Sequence, residues 1–198
     1  VPGWLDLGEL RGVHACWHDE SIALVEQRCG SSTPFADVEH LVAASTSGDP
    51  LYDAVETLLK GPEISLVEHG QAPYHDKDGH SRDNARLQWW NSSGRTLRGL
   101  AEMGGNFTTA SGQPYPALPD LEVPAGERSY VYSAQVPVFY GHYWRQGRPE
   151  HGHDWTDYTA CVDFSAVKGG TLTAYRWSGE EQINPDHYFP RPNTGRDG

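Results

Sequence analysis

Along the chain, apolar positions fall into short runs at its two ends and scatter in the middle. GWLDL at 3–7 and LRGVHAC at 10–16 read as two short strands around Gly8-Glu9, a predicted hairpin. Asp19 is the expected N-cap of a helix over 20–29, with Ile22, Val25 and the stem of Arg28 as a partial stripe and Gly30 as its stop. A second helix is expected over 35–45. The clearest helix is PLYDAVETLLKG, where Asp49 caps, Pro50 takes the first helical position and Gly61 ends the segment. Its Leu51, Ala54, Val55, Leu58 and Leu59 recur at i, i+3, i+4, i+7 and i+8, one face of a helix. From about 62 to 135 periodicity is lost, and LQWW at 87–90 is the apolar run that survives, so this stretch is expected to be an irregular insert. Strands return with VPVFYG (136–141), YTACVDFSA (158–166) and TLTAYRW (171–177), the last two adjacent through a turn at Gly169-Gly170. PRPNTGRDG at 190–198 is expected to be a loose tail.

Composition narrows the class. Within 198 residues there are seven Trp, ten Tyr, 22 Gly and 14 Pro, which favours short strands and punctuated loops over a helical bundle. Lys and Arg number 15 against 27 Asp and Glu, a formal charge of -12 that opposes general nucleic-acid binding. No apolar run reaches the ~18 residues of a membrane span. Cys16, Cys29 and Cys161 are odd in number, widely spaced and without a CxxC, which predicts a reducing, cytoplasmic setting.

Candidate chemistry lies with the histidines. His14 ends the strand in VHACWH and His142 comes just after the strand in VPVFYGHYW. Both are placed to project from strand ends into one crevice, where open sheets put their ligands. A strand-end histidine taken alone is more often structural. HGH at 151–153 reads as a solvated loop. DKDGH at 76–80 has the look of a calcium loop but lacks its ligand spacing and terminal Glu, so it reads as a polar turn. GxSxG, HExxH, Walker A and GxGxxG are all missing, which removes the usual marks of serine hydrolases, zincins, P-loop enzymes and dinucleotide oxidoreductases.

Five segments together resemble the C-terminal part of calcineurin-like metallophosphoesterases, in the branch of phosphoprotein phosphatases and diadenosine tetraphosphatases. They are WLDLGELRGVHACWH (4–18), LYDAVETLLKGPEISL (51–66), HDKDGHSRDNARLQWW (75–90), VPVFYGHYW (136–144) and ACVDFSAVKGGTLTAYRW (160–177). The resemblance implies an α/β (α+β) fold that is the C-terminal part of a four-layer α/β/β/α sandwich with mixed sheets. It would occupy 1–189, with the insert inside it. It implies that His14 and His142 are ligands of one ion in a two-metal centre of manganese, iron or zinc. Trp144 stands where many relatives outside this branch place a second histidine. The family's early motifs, with the Asp-x-His, the bridging Asp, the substrate Arg and the Asn-His pair, have no counterpart. The chain is therefore expected to be the C-terminal portion of a longer polypeptide, with its catalytic groups upstream, and inactive by itself. By loose similarity Arg98, and after it Arg82, are the expected phosphate-binding residues. The expected substrate is a phosphoester, either a small molecule or a phosphoprotein. Sheet surface left uncovered would favour a homodimer or association with the N-terminal piece. The alternative is a non-catalytic, aromatic-rich module, for example one that binds carbohydrate. The sequons at Asn91 and Asn106 suit the secreted origin such a module would have.

Overall fold

The computed structural model describes residues 2–30, 33, 36–128 and 130–192. In chain order its elements are β1 (Trp4–Asp6), β2 (Arg11–Val13), α1 (Asp19–Cys29), α2 (Val38–Ala44), α3 (Pro50–Lys60), β3 (Glu63–Ser65), β4 (Tyr74–His75), β5 (Ser81–Arg82) and β6 (Asn84–Leu87). The order continues with α4 (Leu97–Leu100), β7 (Ala101–Glu102), β8 (Val138–Tyr140), β9 (Thr159–Cys161), β10 (Asp163–Phe164), β11 (Thr171–Tyr175) and β12 (Tyr188–Pro192). The fold is mixed α+β, with several small sheets and four helices among the described residues. None of these helices is long and apolar enough to cross a membrane. The chain divides into two compact units, 1–60 with 133–198 and 61–132.

The first unit carries a four-stranded mixed sheet in the order β1-β2-β8-β9. β1 and β2 form the antiparallel hairpin expected around Gly8, closed by the Leu7 amide donating to the Leu10 carbonyl at 3.0 Å. β2 pairs in parallel with β8, and β8 in parallel with β9. The segment YTACVDFSA, read as one strand, is broken at Val162. Its first half joins this sheet, and its second half, β10, turns into an antiparallel sheet with β11 and β12. A buried cluster of Ala160, Phe164, Ile183 and Tyr188 packs where the chain makes that change. β12 takes in Pro190–Pro192, which the sequence assigned to a loose tail; the rest of that segment lies outside the described residues.

α3 forms as its periodicity requires. Asp49 Oδ1 accepts from the Leu51 amide at 2.8 Å, Gly61 takes a left-handed φ of 83°, and Leu51, Ala54, Val55 and Leu58 are buried. α1 packs against α3 through Ile22 and Val25. Its N-cap is His18 rather than Asp19: His18 Nδ1 accepts from the Ser21 amide at 3.1 Å. The acceptor geometry of an N-cap suits a neutral imidazole nitrogen as well as a carboxylate, and Asp19 sits in the first turn, where the helix dipole favours it. α2 is shorter than expected, and its Val38, Leu41 and Val42 are exposed.

The second unit is more regular than its sequence suggested. β3, β6 and β7 form an antiparallel sheet and β4 and β5 a separate pair. The sheet encloses a core of its own, with Ile64, Leu66, Ala85, Leu87, Leu97, Leu100 and Val123 buried. Trp89 and Trp90 are buried and edge-to-face, with ring centroids 5.9 Å apart. Of the seven tryptophans, Trp4, Trp17, Trp89 and Trp90 are buried and Trp144 is the most exposed, at 43%.

Candidate functional site

Parallel pairing of β2 and β8 carries the two predicted histidines to the same end of the sheet. The ladder sets Gly12 beside Phe139, and continues beyond the strands with the Gly141 amide donating to the His14 carbonyl at 2.9 Å. His14 and His142 thus leave the carboxyl ends of adjacent parallel strands, and their rings meet with centroids 5.3 Å apart at an interplanar angle of 58°. His142 is half-buried and His14 is exposed. The chain immediately after His14 is anchored. Ala15, Cys16 and Trp17 are buried, and the amides of Ala15 and Cys16 both point to the Leu58 carbonyl, at 3.1 and 3.4 Å. Burial pushes the Cys16 thiol well up, which leaves it a packing group and no nucleophile.

The turn after β8 is strained. His142 has a φ of 76° and Trp144 one of 52°, a conformation that costs a non-glycine residue roughly 1–2 kcal/mol. Asp163, two residues past the end of β9 and the first residue of β10, holds it there. Its Oδ2 accepts from the Trp144 amide at 3.4 Å and its carbonyl from the Arg145 amide at 2.9 Å. Its Oδ1 accepts from the amide of Ser165, itself left-handed with a φ of 59°, and the Ser165 hydroxyl donates to the Arg145 carbonyl at 3.0 Å. Strain that persists because its surroundings over-determine it is a mark of sites that position a group.

Beneath this turn lies a buried ion pair. Arg145 Nε is 3.2 Å from Asp154 Oδ1, with both side chains at 3% exposure or less. Arg145 also donates to His153 Nε2 at 3.1 Å and to the His153 carbonyl at 3.3 Å. His153 Nδ1 lies 2.6 Å from Asp154 Oδ1, so the imidazole adds to the charges around that carboxylate. The guanidinium lies 5.3 Å from the Tyr143 ring centroid, next in sequence to His142. Of the HGH motif, then, His153 belongs to this network, while His151 packs edge-on against Trp155, with centroids 4.5 Å apart.

Arg98 and Arg82 lie in the second unit, and each has partners there. Arg98 Nε donates to the Leu118 carbonyl at 2.6 Å and Nη1 meets Asp120 at 3.2 Å; Arg82 grips Asp76 Oδ2 through Nε and Nη2, both at 3.0 Å. Among the described residues the one cluster of three metal-type donors is Asp76, Asp78 and His80. It is the DKDGH turn, and Asp76 is already engaged. Desolvation raises its carboxyl, but the His80 amide, Arg82 and the Asp78 amide outweigh that and hold it at about 2. The cluster reads as a satisfied turn. His14 and His142 have no third donor grouped with them among the described residues. As two neutral-capable imidazoles they suit a borderline divalent ion, but a catalytic zinc site normally has three protein ligands. They therefore fit part of a metal site.

Sequence reasoning found the two histidines and missed Asp163, Arg145 and Asp154. Asp163 carried a usable signal: it is a polar residue directly after the apolar run TACV, the same pattern that marked His14 and His142. Arg145 and Asp154 carried none, since charged residues in RPEHGHDWTD look like solvated loop until the fold closes over them.

Compared with known protein families, curated proteins and solved structures, the chain matches none.

Proposed function

We propose that this chain is the C-terminal part of a metal-dependent phosphoesterase in which His14 and His142 are two ligands of one divalent ion. The observation that supports this reading is the meeting of those two rings at the carboxyl ends of adjacent parallel strands, although 128 positions separate them. The five-segment resemblance supplies the reaction class. A metal centre held in part by His14 and His142 would supply a hydroxide at neutral pH and a clamp for phosphoryl oxygens. The rest belongs to this chain's own residues. Asp163, with Ser165, sets the backbone of the turn that carries His142, and the buried Arg145–Asp154 pair keeps that turn from relaxing. By the resemblance alone, Arg98 and Arg82 are the proposed phosphate-binding residues for a small molecule or a phosphoprotein, a role in which they would exchange Asp120 and Asp76 for the phosphate. Acidic residues upstream complete the site, and the exposed Val38, Leu41 and Val42 favour association with that upstream piece or with a second copy.

Manganese or zinc titrated into the chain, monitored by calorimetry and by the imidazole NMR signals, tests the ligand assignment without any activity. Expected is weak binding that perturbs His14 and His142 and disappears in His14→Ala and His142→Ala. Tight stoichiometric binding would show that the chain needs no upstream ligands, and metal binding that ignores both histidines would remove the assignment. With the upstream segment restored, phosphatase activity should appear. A restored protein that hydrolyses no phosphoester with manganese, iron or zinc would end the enzyme reading. Replacing Arg98 or Arg82 by Ala there should raise KM or lower kcat.

A further inference from the structure

β11 and β12 leave one face of their sheet uncovered. The register sets Leu172 beside Arg191 and Ala174 beside Phe189, so these four side chains share that face, and all four are exposed, Leu172 at 65%. Arg176, also exposed, joins them with its guanidinium 4.9 Å from the Phe189 ring centroid. The opposite face is the packed one: Thr173 and Tyr188 are buried, and Tyr175 meets Tyr188 edge to face. The single turn Ala166–Lys168 that leads from β10 into β11 carries Val167, 92% exposed, and Lys168, whose Nζ sits 3.5 Å from the Trp144 ring centroid.

Charge follows the same division. Most cations of the chain are answered by a carboxylate, as Arg28 is by Asp49 and Arg86 by Glu63, or by backbone carbonyls, as Arg95 and Arg128 are. Lys168, Arg176, Arg191 and the loop residue Arg148 have neither kind of partner among the described residues. Three of these four stand on one small sheet and its turn, beside the exposed Val167, Leu172 and Phe189, in a chain whose formal charge is -12.

The partner of such a surface is anionic and has an apolar layer. A second copy of the chain does not fit, because a two-fold contact would set the same cations against themselves. An added strand fits no better: β12, at the edge of its sheet, contains Pro190 and Pro192, which lack the N–H groups a neighbouring strand would need. An anionic lipid surface offers both layers, headgroup charge for the cations and an acyl boundary for the apolar side chains. We propose that the outer face of β11 and β12, with the turn before them, docks on an anionic lipid surface. Lys168, Arg176 and Arg191 meet the headgroups, and Val167, Leu172 and Phe189 reach below them. The same surface repels the acidic remainder of the chain, which orients the protein with this face towards it. Neither His14 nor His142 belongs to the face, so the lipid contact stands or falls independently of the phosphoesterase reading.

Sedimentation of the full chain with vesicles of phosphatidylcholine and phosphatidylserine, against phosphatidylcholine alone, tests it. Expected is binding to the mixed vesicles only, falling as salt is added. Lys168→Gln, Arg176→Gln and Arg191→Gln should each weaken it about fivefold, and Leu172→Gln by at least about as much. These side chains are exposed, so the variants should keep their fold, and unchanged melting curves would verify this. Lys77→Gln removes an equal charge from the second unit and should leave binding as it was. No binding to the mixed vesicles, or binding indifferent to Leu172→Gln, would overturn the proposal. An equal loss in Lys77→Gln would reduce it to unspecific charge attraction, and polyglutamate bound as tightly as the vesicles would give the face to an acidic protein instead.

Discussion

Gly141 passes so near Asp163 that a β-carbon built on it would lie 3.3 Å from Asp163 Cβ and 3.6 Å from the His14 carbonyl oxygen. That glycine sits between the end of β8 and His142, so the close packing of Asp163 against the turn that carries His142 depends on a missing side chain. Gly141→Ala should force Asp163 to give way and cost about 1 kcal/mol, with Gly141→Val costing more. Gly12 is the internal comparison. A β-carbon there would meet Leu5 Cβ at an ordinary 3.7 Å, so Gly12→Ala should be neutral or stabilising, because glycine weakens a strand interior. Urea midpoints at constant m separate the two. Equal effects at Gly12 and Gly141 would mean that the close approach is not a constraint.

The Arg145–Asp154 pair makes a second prediction. With both side chains at 3% exposure or less, Asp154→Ala leaves a buried guanidinium without its counter-charge and should cost roughly 3–5 kcal/mol. His153→Ala removes a side chain that is 46% exposed and should cost about 1 kcal/mol. If denaturant unfolding finds the two variants alike, water reaches the pair and it does not brace the turn above it.

Legibility in the sequence tracked the range of the interactions involved. α3 could be read because its cap, its stripe and its stop all lie between Asp49 and Gly61, and the hairpin of β1 and β2 because its turn is local. The sheet of the second unit escaped notice since its strands run two to four residues, too short for an alternating pattern to emerge from 62–135. LQWW stood out correctly as an apolar run, and its Leu87, Trp89 and Trp90 are buried. The histidine pair was half legible: each histidine comes after an apolar run, but their meeting requires β2 and β8 to be neighbours, a pairing between Arg11 and Val138 that no local pattern announces. Asp163 depends in turn on β9 lying beside β8. The His18 cap was missed because Asp19, next to it, is the stronger capping residue on propensity alone, and only backbone geometry decides between them.

Glu180 links stability to acid pH. Burial raises its carboxyl, but hydrogen bonds from Tyr175, the Ser178 amide and His187 outweigh that and bring it from the ordinary 4.5 down to about 2. A carboxyl depressed in the folded state contributes stability that is present above its unfolded pKa and is lost as pH falls towards its folded one. The difference in urea midpoint between the natural chain and Glu180→Gln should therefore be full above pH 4.5 and fade towards pH 2. Tyr175, the donor to Glu180, is pushed up to about 12 by burial and by that bond, so its own contribution should hold up to about pH 10 and fade as pH rises to 12. Tyr175→Phe should lack that alkaline step. A Glu180→Gln difference that stayed constant from pH 6 to 2 would contradict the hydrogen-bonded carboxylate.

The cap of α1 responds to pH in the same sense as Glu180, but nearer neutrality. His18 Nδ1 must keep its lone pair to accept from the Ser21 amide, and desolvation lowers the imidazole pKa below 6.5 despite the opposing charges of Glu20 and Asp19. A group whose folded pKa is depressed stabilises the fold above its unfolded value and loses that contribution as pH drops below it. Stability should accordingly decline as pH falls from about 6.5, before any acid step at Glu180. His18→Asn keeps a capping acceptor that does not titrate in this range, so it should hold nearly full stability at pH 7 and lose the step below it. His18→Ala should also lose the step and in addition cost about 1 kcal/mol at pH 7. Urea unfolding of the three proteins between pH 8 and 5 distinguishes them. A decline below pH 6.5 that persists unchanged in His18→Asn would place the titrating group elsewhere and leave Asp19, the stronger capping residue by propensity, to start the helix.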